Sequence, residues 1–106
     1  VVVAPMTAPI PLRELEGELL SMEYGDGSKQ PVVMFLCPNP RCDRGHSQWI
    51  PCSPEGGTRQ VGGTQVNMWR HVSGDTIDTI TLSPSIIVYS CDNVHGHIVN
   101  GEWRPC

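Results

Sequence analysis

A chain of 106 residues with eleven glycines and ten prolines reads as one domain of turns and short elements, which argues against a helical bundle. Seven basic residues against eleven acidic ones give a net charge of −4, and only Arg41 and Arg44 sit close together, with Asp43 between them, so nucleic acid is a disfavoured partner. No apolar run approaches the ~20 residues of a membrane-spanning helix, so no membrane is expected as a partner.

Residues 1–11 carry Pro5, Pro9 and Pro11, which forbid a helix and predict an extended arm ahead of a single β domain over 12–106. The arm has no charge, but Val1, Met6 and Ile10 are apolar, so it is expected to dock on a partner or a sister chain. Neither a strand nor a metal ligand is expected within it. Val1 is an unusual first residue and points to a non-ATG start or a start at Met6. Residues 1–3 lack the basic flank and sustained apolar core of a signal peptide. A cytoplasmic, reducing location is therefore expected.

Residues 12–24 mix two periods. Leu12, Leu15 and Leu19 have helical spacing, while Leu20, Met22 and Tyr24 alternate with polar residues, so a strand is predicted over 18–24. A turn at 25–31 leads into the strongest strand signal of the chain, VVMFLC at 32–37. Residues 38–46 form a tight Pro- and Gly-bearing knuckle, followed by a short strand at 48–52. Residues 53–63, with four glycines, are predicted to be a flexible loop. Strands follow at 66–72, 79–82 and 85–90. A last pair, 97–100 and 102–104, closes around Asn100–Gly101, a tight-turn dipeptide. The fold class expected is mainly β: a small antiparallel domain with a Cys/His metal knuckle and an extended N-terminal arm. Trp69 and Trp103 are expected in the core, and Trp49 at the surface.

Five cysteines is an odd number. In a reducing compartment metal ligation is a better use of them than disulfides, although two disulfides plus one thiol, or simply buried thiols, remain alternatives. Cys37 and Cys42 form one close pair and Cys91 and His95 another. Together they make a Cys3His set for one structural zinc ion, closed to substrate. His46 and Cys106 are reserve ligands. His97 is set aside on the expectation that it faces away from His95, His71 is expected at the surface, and Cys52 is expected in the core.

The runs LEGELLSMEY, VVMFLCPN and TLSPSIIV, the Cys-x3-His pair, and Asn100–Gly101 before a Trp resemble an uncharacterised family of small Cys/His domains. That family occurs in bacteriophages and mobile elements, and some members are encoded near bacterial ubiquitin-like conjugation genes. The likeness covers roughly residues 14–106 in order. It implies a metal-supported fold with Cys37, Cys42, Cys91 and His95 at the ligand positions, and it implies no activity. The family's first cysteine cluster is tighter than Cys37-x4-Cys42, and its Cys–His gap is one residue shorter, which admits His46.

Three functions follow as expectations. The first is a non-catalytic protein-binding or inhibitory module, and the second a virion component assembling through the arm. Nucleic-acid binding is the third. An enzyme is disfavoured. Asp75, Asp78 and Asp92 could serve as acids with His95 or His97 as bases, but turn chemistry explains those aspartates equally well. Ser83 and Ser85 flank Pro84 in a setting that suits a strand bend, not a strained nucleophile turn.

Overall fold

The computed structural model describes residues 8–39, 46–61, 63–88 and 94–106. The chain is mainly β, and its strands form two sheets. They are β1 (Ile10–Pro11), β2 (Glu18–Glu23), β3 (Lys29–Leu36), β4 (Ser47–Ser53), β5 (Gly57–Val61), β6 (Thr64–Ser73), β7 (Thr81–Ser83), β8 (Ile86–Val88), β9 (Val94–Val99) and β10 (Glu102–Pro105). The smaller sheet has the order β1-β10-β9-β8. In the larger, β2-β3-β4-β6-β5 lie side by side and β7 also pairs with β6.

One pairing departs from the antiparallel expectation. Cys52 and Ser53 of β4 run parallel to Trp69 and Arg70 of β6. The cause is topological: β5 turns back along the outer side of β6, so β6 runs in the same direction as β4. β5 itself lies where a flexible loop was expected. Its Thr58, Arg59 and Gln60 are exposed, so no apolar alternation marks the strand. Its glycines instead take the turns, with positive φ at Gly56, Gly57 and Gly63.

The two inner faces share one core. Val33, Phe35, Ile50, Cys52 and Leu82 belong to the larger sheet, and Ile86, Val88, Val94, Ile98 and Trp103 to the smaller. Phe35 and Trp103 meet across it with ring centroids 5.7 Å apart. Trp103 is fully buried, Trp69 packs partly buried against the core, and Trp49 is 48% exposed, as the sequence pattern anticipates.

Residues 12–24 resolve their mixed period by doing two things in turn. Leu12–Leu15 form one turn of 3-10 helix that buries both leucines. Glu16 then takes a left-handed conformation, and a side chain at Gly17 would sit 2.6 Å from the Leu12 carbonyl oxygen. The chain therefore leaves the turn and enters β2. Just before that turn, Ile10 and Pro11 pair with Trp103 and Glu102 of β10. The last two residues of the expected arm thus belong to the sheet, while residues 1–7 lie outside the described residues.

The β9–β10 turn has the anticipated form. Asn100 and Gly101 both have positive φ, 49° and 73°, as a two-residue hairpin of this hand requires. Gly101 is also locked from both sides: its N–H donates to the Ile80 carbonyl and its carbonyl accepts from the Leu12 N–H, each at 2.8 Å.

Candidate metal centre and contact surface

Of the four expected zinc ligands, Cys42 and Cys91 lie outside the described residues. Cys37 follows β3, is fully buried within the shared core, and donates its backbone N–H to the His46 carbonyl at 2.9 Å. His95 is exposed on β9, on the solvent side of the smaller sheet, because the neighbours on either side of it, Val94 and Gly96, take the inner positions. Cys37 and His95 therefore face different environments. Among the described residues no group of three or more His, Cys, Asp or Glu side chains is arranged to hold a metal ion. The reserve ligands His46 and Cys106 are both exposed.

The structure joins a different set of donors. His97 was expected to face away from His95, and that expectation is corrected. Residues two apart on a strand share a face, and the two imidazoles are neighbours with centroids 6.3 Å apart. Cys106 reaches the same spot from the end of β10. Its N–H donates to the His95 carbonyl at 3.0 Å, and its Sγ lies 3.5 Å from Nδ1 of His97. Gly96 between the histidines has a clear packing reason, since a Cβ there would fall 2.6 Å from the Trp103 ring. The sequence signal for this cluster was His-x-His on a strand.

Cys52 behaves as the core thiol expected of it. It is fully buried, lies 3.6 Å from the Pro31 carbonyl oxygen, and burial pushes its pKa up to about 11. Asp78 is engaged by Arg13, which grips both carboxylate oxygens and holds the group below the usual carboxylate range. His71 is half-buried against the Gly74 carbonyl, not fully at the surface. Ser83 and Ser85 flank the exposed Pro84, and the Ser85 carbonyl accepts the Trp69 indole N–H at 3.2 Å.

The outer face of the larger sheet carries an apolar patch. With Val33, Phe35 and Ile50 turned inward, the alternate residues face out. Leu20, Val32 and Pro51 form one cross-strand row, and Glu18, Met34 and Trp49 the next. Val32 is fully buried at the centre and Trp49 stands exposed at one side. A separate cleft of about 260 Å³ lies between β5, β6 and Pro84, lined by Met68 and Trp69 among others.

No family model matches the chain, and neither a curated protein nor a solved structure matches it.

Proposed function

We propose that this protein is a non-catalytic, phage-type module that acts by binding another protein through the outer face of its larger sheet. The observation that carries this reading is the exposed Trp49, set in a row with Met34 beside the Leu20–Val32–Pro51 row. Exposed tryptophan on a rigid strand, ringed by aliphatic and methionine side chains, has the composition of an interface hot spot. Charge narrows the partner. Glu18 continues the Met34–Trp49 row, and the chain carries −4 overall. The partner surface is therefore apolar with a basic border, as in an inhibitor that covers a basic site.

A structural zinc clip on Cys37, Cys42, Cys91 and His95 belongs to the same proposal, and it requires His95 to leave the solvent side of β9 or Cys37 to leave the core. A modest core favours such a clip. Its role is to hold the fold rather than to activate water.

The reading is tested by comparing the native chain with Trp49→Glu as baits for host and phage proteins, beside Gln60→Glu on β5, which the register puts on the opposite face, as control. A protein retained by the native chain and the control, but lost with Trp49→Glu and at high salt, is the expected result. Equal retention by all three would end the reading. Assembly as a virion component is favoured by one observation, the pairing of Ile10–Pro11 with β10, since such an arm can add to a neighbour's sheet as well as its own. Light scattering separates the two, because a monomer is expected of the binding module.

A further inference from the structure

The geometry points to a second, open metal site on the outer face of the smaller sheet, formed by His95, His97 and Cys106 and suited to a borderline divalent ion such as zinc. It competes with the clip proposed above for His95, so one chain holds one site or the other, and it depends on neither Cys42 nor Cys91. Three observations meet here. β9 presents both histidines on its solvent side, with Gly96 between them facing the core. Cys106 is held in place by its backbone, through the hydrogen bond from its N–H to the His95 carbonyl. Its Sγ then lies 3.5 Å from Nδ1 of His97.

That separation is informative. With Zn–S near 2.3 Å and Zn–N near 2.0–2.1 Å, two ligands at the tetrahedral angle stand about 3.5 Å apart. A sulfur and an imidazole nitrogen thus already hold the spacing of two corners of a zinc tetrahedron. The three donors do not converge on one point as they stand. His95 is exposed, however, so turning it about its side-chain torsions is a change between staggered wells at the protein surface. Thiolate plus two imidazoles is a borderline-soft set, which selects zinc and related ions over magnesium or calcium.

The neighbouring charges permit the site. Arg104 lies opposite His97 in the register, but its guanidinium bonds to Glu102 at 3.2 Å, so an acidic partner offsets its charge. Ile87 lies opposite His95 and is 40% exposed, so it adds no charge beside the ligand. Three protein donors leave a fourth position for water or for a side chain of another molecule. The site differs in this from a closed structural zinc.

Cobalt(II) titration of the full chain, followed by zinc competition against a chromophoric chelator, tests the site. The native chain should take up cobalt in tetrahedral form with a thiolate charge-transfer band. His97→Ala and Cys106→Ser should each weaken binding by more than the roughly 10–100-fold that loss of an outer-shell partner costs, and each should remove or alter that band. Both positions are exposed, so the metal-free melting temperature should stay put. The double variant Cys42→Ser/Cys91→Ser, which destroys the clip, should retain this binding. Unchanged affinity and spectrum in His97→Ala and Cys106→Ser would overturn the site, as would loss of all tetrahedral cobalt in the Cys42/Cys91 double variant. The second result would leave the clip standing alone. Failure of the clip, by contrast, shows as a double variant indistinguishable from the native chain.

Discussion

Glycine at 101 shows how one residue can hold three parts of this chain together. Its positive φ belongs to the β9–β10 turn, and its two backbone hydrogen bonds reach Leu12 and Ile80. A Cβ there would fall 2.3 Å from the Asp78 carbonyl carbon, and backbone cannot give way as a flexible side chain does. Gly101→Ala should therefore cost about 3 kcal/mol or more, from strain and steric clash combined. Urea unfolding measures it, and a loss under 1 kcal/mol would mean the turn relaxes. Cys52 makes the opposite kind of contribution, through burial. An unperturbed thiol ionises near 9.0, and this one is pushed up to about 11. The folded chain keeps its proton where the unfolded chain has lost it, so stability should fall as pH rises from about 9 to about 11. Cys52→Ala should lose some packing yet show a shallower alkaline decline. An identical slope in both proteins would mean that Cys52 is not the group responsible.

At the scale of elements, strands whose residues divide cleanly between core and solvent were legible, and strands without that division were not. VVMFL of β3 has an inner pair, Val33 and Phe35, that the core explains at once. Thr58, Arg59 and Gln60 of β5 all face solvent, so nothing in their pattern separates a strand from a loop. The site followed the same logic. Cys37 was singled out as a ligand from sequence spacing, yet spacing carries no information on which way a side chain faces, and Cys37 lies in the core. The His95–His97 pair was legible in principle, because strand period alone puts both on one face. Cys106 was in view as a reserve ligand beyond the last hairpin, but which histidine it meets depends on the β9–β10 register. The root of the arm belongs with these cases: two residues are too few to announce a strand. Its contribution is measurable. Relative to removing residues 1–7, removing 1–11 also strips Ile10 from the core edge and its pairing with Trp103, at about 1–2 kcal/mol. Equal urea midpoints for the two truncations would show that β1 contributes nothing.

Taken whole, the molecule has much surface for its core. Its extents are 52 × 25 × 21 Å and its radius of gyration is 14.1 Å, against about 13 Å for a compact chain of this length. The long β6 runs past the shared core. There it pairs with β5, whose side chains from Thr58 to Gln60 face solvent. Such a shape exposes binding surface at the expense of buried apolar area, and the two sheets must be kept in contact by the Phe35–Trp103 layer and its aliphatic neighbours. A structural zinc would change that balance decisively, since its binding is worth on the order of 10 kcal/mol and is coupled to folding. The open site on the smaller sheet would change it little, because both of its histidines and Cys106 are exposed in the fold described. Chelation distinguishes the two contributions. If the Cys37, Cys42, Cys91 and His95 clip is present, stripping metal should collapse the cooperative melt, and Cys42→Ser should do the same in metal-replete buffer. If only the exposed site binds metal, stripping it should leave the melt in place while abolishing cobalt colour. A melt that survives both treatments in a protein purified with bound zinc would remove the clip from the account of this fold.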